Sequence, residues 1–460
     1  MSSGECIFRI NLNLKKVCQT AACFLFALIT GIVLGVWQIK PPRANEASPE
    51  FQRMMNNVER WAQEPRVVGS ANLERIRAEV IAEIEGMGLS PTVQTVWYSR
   101  DEVIAVQASL GLAGGIGGRF FALPPELPVV NIFVELPSPR TDRGIMFVSH
   151  LDSWPGSPGA ADAMVPVTAM LEAMRAHAGN ENLANSIYFL ITDGEEFAHI
   201  GALAFIRERP ELQDRIDMIV NMDAQGNSGG LILYETSPNP YAMLNVFRRA
   251  VPRPMGMSIG AQIYAWMNTS TDFTFFKRYG WSGINLAIIE GLEHYHTPTD
   301  TYDTLNRSTA WHYLTTTLGL ANYAANNPLD ELRAPSTRAV FFTLLPGNLV
   351  ILSYLWAYIL CAVACLLALA YIVLSRKKKR LKASPQIIVM LTLIILSIIS
   401  AIFFHAGSYL VWLPLLAMSI CAFLEKRPAA YRVAWMLSLI ITLLLWVPLI
   451  YAGLIFLPFV

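Results

Sequence analysis

Histidine and carboxylate residues recur at four places in the middle of the chain, each time just after a short apolar run. His150-Leu151-Asp152 follows Gly144–Ser149 (GIMFVS), and the loop from Ser153 to Gly159 leads on to Ala160-Ala161-Asp162. Asp193-Gly194-Glu195-Glu196 follows Ser186–Thr192 (SIYFLIT), and Asp223 follows Asp217–Met222 (DMIVNM). Beyond Ile284–Ile289 (INLAII) come Glu290-Gly291-Leu292-Glu293 and then His294-Tyr295-His296-Thr297-Pro298-Thr299-Asp300-Thr301. No cysteine lies among them. Imidazole and carboxylate without thiolate suit hydrolytic zinc, with manganese or cobalt as alternatives. Singly, each residue has an ordinary explanation: a core histidine, a solvated Glu-Glu at a helix start, or Asp162 as a helix cap. Their joint placement is what points to a metal site.

The apolar runs are short and rich in branched residues, and helical patterns separate them over about Val165–His177, Glu196–Arg207 and Tyr241–Val251. Near-continuous apolar strands alternating with helices predict an α/β domain with a mostly parallel sheet flanked by helices. Sites in such sheets form at the carboxyl ends of the strands, where these polar residues fall.

His150-x-Asp152, Pro158-Gly159-Ala160-Ala161-Asp162, Asp193-Gly194-Glu195-Glu196, Asp223 and His296-Thr297-x-x-Asp300-Thr301 together resemble the co-catalytic di-zinc aminopeptidase family, with its zinc-exopeptidase fold. That family includes bacterial leucyl aminopeptidases and glutamate carboxypeptidase. Most similar are its endoplasmic-reticulum and vacuolar membrane metallopeptidases, which join a luminal peptidase domain to C-terminal membrane helices. Pro65-Arg66-x-x-Gly69-Ser70-x-Asn72 and Ser270-Thr271-Asp272-Phe273 look like further parts of the pattern, which covers about residues 48–330. The resemblance implies that Asp162 bridges two zinc ions, that His150 and Asp223 hold one, and that Glu196 and His296 hold the other. It makes Glu195 the general base and gives Asp152 the task of orienting the His150 ring. Asp300 is a weaker candidate partner for His296, and His294 an alternative ligand. His177, His199, His312 and His405 are read as ordinary histidines. At two positions the chain departs from the pattern: Ala163 stands where a second Asp is frequent, and Pro166 where a Gly is. The oxyanion-stabilising group has no clear candidate beyond Tyr264 or Asn268.

The chemistry is consistent with these implied roles. Two cations about 3.5–4 Å apart need a shared anionic ligand, and they lower the pKa of a bound water toward about 7, making hydroxide available. A Glu beside that water can take its proton and pass it to the leaving amine. A ligand histidine needs its second nitrogen held, and Asp152 lies two residues from His150.

Around this segment the chain is 53% hydrophobic and 15% charged, with 35 basic and 35 acidic residues. The charge balance argues against a nucleic-acid partner. Long uncharged runs predict five transmembrane helices: Val17–Ile39, then Leu349–Leu374, Ile387–Phe404, Leu410–Leu424 and Val433–Leu457. Each exceeds what a buried core helix usually needs. The first is expected to be an uncleaved anchor, because it outlasts a signal-peptide core and no A-x-A site follows closely. The expected domains are a cytoplasmic N-terminus (1–16), an anchor (17–39), an extracytoplasmic zinc peptidase domain (40–345) and a four-helix membrane bundle (346–460). Basic residues at Arg9, Lys15 and Lys16, at Arg376–Arg380 with Lys382, and at Lys426, Arg427 and Arg432 would all face one side. The positive-inside rule makes that side cytoplasmic, with the Lys/Arg-free linker His405–Ser408 opposite. The outer domain would be periplasmic in a bacterium and luminal in a eukaryote. It lacks cysteine altogether: Cys6, Cys18, Cys23, Cys361, Cys365 and Cys421 lie outside it. The four last helices carry no interior charge, so they read as anchor or partner surface rather than a transport path.

The partners expected are thus a peptide substrate and the lipid bilayer. Two other functions compete: a single-zinc glutaminyl-cyclase-like acyltransferase on the same fold, and a non-catalytic peptidase-like membrane scaffold.

Overall fold

The computed structural model describes residues 14–111, 124–264, 267, 269–377, 385–403, 407–424 and 428–456. Two compact units emerge. One is built on Gln38–Ala357, the other on the apolar helices that flank it in sequence.

The larger unit is built on a seven-stranded sheet. Its strands are β1 (Thr92–Ser99), β2 (Glu126–Leu136), β3 (Gly144–His150), β4 (Ser186–Thr192), β5 (Ile216–Ala224), β6 (Ile232–Thr236) and β7 (Gly283–Ile288), in the order β1-β2-β4-β3-β5-β7-β6. The four strands expected from sequence are its parallel centre. β3 pairs with β4 from Gly144↔Ser186 to His150↔Thr192 and with β5 on its other side, and β5 pairs with β7 from Ile219↔Gly283. β1, β2 and β6 join antiparallel.

Both faces of the centre are covered, which is why its strands read as unbroken apolar runs. Ile145, Phe147, Phe189 and Val220 pack under helices Pro49–Trp61, Ala71–Glu85, Val165–His177 and Arg307–Asn326. Met146, Val148, Leu190 and Ile219 pack against Ile200–Glu208 and Asp272–Arg278 on the other face. Phe147 and Phe189, both fully buried, stack at 5.4 Å. Truncating either to Ala would cost about 3–5 kcal/mol.

Three expectations need correction. The helix after Glu196 begins only at Ile200, because Ala198 (φ 77°) and His199 (φ 56°) take the left-handed conformation and cannot continue a right-handed helix. The apolar run from Leu349 does not start a membrane helix. Asn348–Ser353 is strand β9, paired antiparallel with β8 (Ala339–Leu345) across the Pro346-Gly347 turn, and the helix starts at Tyr354. Of the five membrane helices expected, three are long and apolar enough to cross a bilayer among the described residues: Ala21–Gln38, Tyr354–Leu374 and Ala430–Tyr451. Val389–Phe403 and Tyr409–Phe423 are apolar but shorter. At 1.5 Å per residue Tyr409–Phe423 reaches about 22 Å, less than a hydrocarbon core of about 30 Å, whereas Val389–Phe403 is part of the 19-residue helix Pro385–Phe403, about 28 Å long. Arg9, Lys378–Arg380, Lys382, Lys426, Arg427 and His405 lie outside the described residues, as does Asn268.

Candidate metal centre

β3 delivers His150 at its last residue, and Leu151 N–H still reaches the Thr192 carbonyl of β4 at 2.9 Å. The His150 ring is 2% exposed. Its Nδ1 lies 3.0 Å from the Asp152 main-chain oxygen and 3.5 Å from the Asp152 carboxylate. A carbonyl oxygen only accepts, so the proton belongs on Nδ1 and Nε2 presents a lone pair. That Nε2 is 3.1 Å from Asp162 Oδ1 and 3.6 Å from Asp223 Oδ1. Asp152, wholly buried, has a second task that the sequence did not suggest. Its two carboxylate oxygens accept the main-chain N–H groups of Glu195 and Glu196, each at 3.2 Å.

Asp162 stands at the end of a loop whose path is tied down from below. Arg66 is fully buried and donates to the main-chain oxygens of Leu151, Pro158 and Gly159. Burial lowers its pKa to about 10. Gly159 is left-handed (φ 66°), and a Cβ there would stand 2.4 Å from the Asp162 carbonyl oxygen and 2.6 Å from Ser153 Cβ, so only glycine fits. Asp300 aims the loop's end: its carboxylate accepts from Ala161 N (3.0 Å) and Asp162 N (3.2 Å). The expectation that Asp300 partners His296 is thereby replaced. Burial pushes the Asp300 carboxyl up to about 7.

Asp193 roots the second strand end. It is buried, with Oδ2 2.6 Å from Arg77 Nη2 and 3.0 Å from Val130 N, and burial lifts its pKa to about 7. From there Glu196 reaches His296, with Oε2 3.0 Å from Nε2, and the same Nε2 lies 3.4 Å from Asp162 Oδ2. The His296 ring is held between two aromatic faces, Trp154 at 4.3 Å and Tyr295 at 3.7 Å. Burial works against a charged His296, but the Glu196 and Asp162 carboxylates outweigh it and hold the ring up at about 10. His294 turns away, with Nδ1 2.8 Å from Thr299 Oγ1.

Two groups of donor atoms therefore meet at one residue: His150, Asp162 and Asp223, and Asp162, Glu196 and His296. His150 Nε2 and Glu196 Oε1 are buried without a hydrogen-bond partner. Buried lone pairs of this kind are costly unless something fills them. Beside them Glu195 is 8% exposed, and burial and the Asp223 charge push its carboxyl well above the ordinary range. A convergence of acceptor oxygens and nitrogens with so little countercharge fits divalent cations. Of the residues singled out in the sequence, His150, Asp152, Asp162, Glu195, Glu196, Asp223 and His296 come together here.

Besides the second task of Asp152, sequence reasoning missed three features of the site. Glu195 Oε1 lies 2.9 Å from His199 Nδ1, Asp300 serves the Asp162 loop, and Trp154 and Tyr295 flank His296. The four-residue spacing from Glu195 to His199 was the one visible signal.

Residues 131–321 match the model of Peptidase family M28, and the chain carries a Peptidase M28 domain. A vacuolar membrane protease of Candida glabrata is 30% identical over 219 residues, 47% of this chain and 22% of its own length. A putative endoplasmic reticulum metallopeptidase 1 of Schizosaccharomyces pombe is 26% identical over 291 residues, 60% of this chain and 34% of its own. The chain thus spans about a third or less of these curated relatives. Among solved structures, an aminopeptidase from Aneurinibacillus sp. strain AM-1 aligns with a TM-score of 0.47 and 15% identity, covering 60% of this chain and 94% of its own. A Porphyromonas gingivalis glutaminyl cyclase aligns with a TM-score of 0.45 and 16% identity, covering 59% and 97%. The curated relatives carry the names of membrane proteases, and three helices among the described residues are long and apolar enough to cross a membrane.

Proposed function

We propose that the chain is a membrane-anchored di-zinc aminopeptidase, hydrolysing N-terminal residues of peptides outside the cytoplasm. One observation carries the reading. The two oxygens of Asp162 face different imidazoles, Oδ1 toward His150 and Oδ2 toward His296. A carboxylate so placed can serve two cations at once. His150 and Asp223 would complete one position, Glu196 and His296 the other.

When bound, the two ions would acidify a water and polarise the scissile carbonyl. The protein's own part is proton transfer and orientation. The Glu195 carboxylate takes the proton of the attacking water and returns it to the departing amine. Asp152 holds the Glu195 and Glu196 amides and the His150 ring in one frame, so base and ligands keep a fixed relation. The resemblance to di-zinc aminopeptidases supports an N-terminal substrate residue. The three long apolar helices and the basic residues beside the expected spans support an anchored domain facing away from the cytoplasm.

The test is metal analysis of the purified full-length chain coupled to a panel of amino-acyl amides. Two zinc ions per chain, with hydrolysis lost on chelation and restored by zinc, is the expected result. Chelator-resistant hydrolysis overturns the reading. One ion with cyclisation of N-terminal glutamine would favour the acyltransferase, and a folded chain that takes up no zinc would favour the scaffold.

A further inference from the structure

The chain bends sharply straight after the acidic pair. Ala198 and His199 are consecutive left-handed residues without being glycine, a conformation that needs a compensating contact. The bend returns His199 N–H to the Glu195 carbonyl oxygen at 2.9 Å and brings the imidazole to the Glu195 carboxylate. Nδ1 lies 2.9 Å from Oε1, and Nε2 lies 2.7 Å from Ser270 Oγ. The ring is 5% exposed, with Phe275 edge-on at 6.4 Å. The Nδ1 contact is close but unaligned, for Nδ1 has no partner in hydrogen-bond geometry. The last torsion of a Glu side chain is soft, so the carboxyl has freedom to turn toward Nδ1.

We infer that His199 is a positioning residue for Glu195: it fixes Oε1 through Nδ1, is itself anchored by Ser270, and leaves Oε2 as the oxygen that works. The inference rests on Glu195 being the base of the proposed peptidase. A neutral imidazole has one N–H and one lone pair. In its role as base Glu195 must be ionised, and an ionised carboxylate only accepts, so in that state the N–H belongs at Nδ1 and the Nε2 lone pair accepts from the Ser270 hydroxyl. A glutamate has three side-chain torsions to freeze, whereas proton transfer needs the base within hydrogen-bond reach of one water. The Ser270–His199 pair supplies that restraint at Oε1. It also explains why the helix begins only at Ile200: a helical Ala198-His199 would carry the ring elsewhere.

The experiment compares His199→Leu and His199→Asn with the native full-length chain in detergent, each loaded with zinc. His199→Leu is expected to lower kcat about 10–100-fold, the usual cost of losing such an outer support, with KM and zinc content unchanged. His199→Asn, whose amide nitrogen can stand in for Nδ1, is expected to recover most of that loss. A fall in kcat shared equally by both variants, or no fall in His199→Leu, overturns the inference. A second readout needs no activity. In the ring-nitrogen spectrum of 15N-histidine-labelled chain, the resonances lost in His199→Asn should be those of a neutral ring protonated at Nδ1. A ring protonated at Nε2, or at both nitrogens, overturns it. If the native chain hydrolyses no amide at all, the peptidase reading fails, while the spectrum still decides the His199 geometry.

Discussion

The main-chain N–H of Asp162 is held by Oδ2 of Asp300, 138 residues further along, at 3.2 Å. The carboxylate shared by the two donor groups is therefore aimed by another carboxylate behind it. Removing it with Asp300→Ala leaves the Ala161 and Asp162 amides unpaired and lets the shared side chain swing. Zinc affinity is expected to fall about 10–100-fold. Competition with a fluorescent zinc chelator measures it, and native affinity in the variant would contradict the role.

Glu195→Gln keeps the shape of the base and removes its ability to take a proton. The expected outcome is a kcat about 100- to 10,000-fold lower with both ions retained. Activity assays paired with elemental analysis check this. A fully active variant would remove Glu195 from the chemistry.

Arg66→Met should act on folding first. Three main-chain oxygens of the 151–159 loop lose their donor in a fully buried place. Breaking such a network costs about 3 kcal/mol or more. Thermal unfolding of the detergent-solubilised chain should show a lower midpoint. An unchanged midpoint would mean that the loop holds its path without Arg66.

His312 sets an acid limit. It is 1% exposed, accepts from Leu231 N at Nδ1, and faces the Arg253 carbonyl oxygen with Nε2, 3.0 Å from each. Burial drops its pKa from 6.5 to about 4. The unfolded chain therefore binds more protons between these values. The stability involved is complete above about pH 6.5 and is lost as pH falls toward 4, about 3 kcal/mol in all. Urea titrations across this window should show the slope in the native chain and a flatter one in His312→Gln. Equal slopes would rule His312 out as its source.

The placement of the peptidase domain can be read with one introduced thiol. Glu181 is exposed in the turn before β4, within a domain free of cysteine. With the native cysteines replaced, Glu181→Cys should react with a membrane-impermeant maleimide in intact cells that display the domain outward, or inside opened vesicles of a luminal protein. Labelling only from the cytoplasmic side would reverse the proposed topology.

Legibility in the sequence followed burial. β3, β4, β5 and β7 are covered on both faces, so each is an apolar run with its polar chemistry at the end. β1 is different: at the sheet's edge it alternates exposed and half-covered residues, as in Val93, Gln94 and Trp97, and no comparable run marks it. Leu349–Ser353 is apolar enough for a membrane helix, and only pairing with β8 reveals the strand. The histidines and carboxylates that converge in the structure were legible because their types are unusual at strand ends. Asp300 and His199 were not, since their partners are set by loop paths that neither spacing nor periodicity encodes.

The two positions that share Asp162 are unequal. The His150 side chain is 2% exposed and that of Asp223 11%, whereas His296 stands 23% exposed between Trp154 and Tyr295. The position beside Glu196 and His296 is thus the more open to solvent, through the His296 ring, and the position beside His150 and Asp223 the more enclosed. If the proposed pair of ions binds there, loading and stripping should be ordered: the more enclosed ion would arrive first and depart last, and a half-filled protein would be a waypoint in both directions.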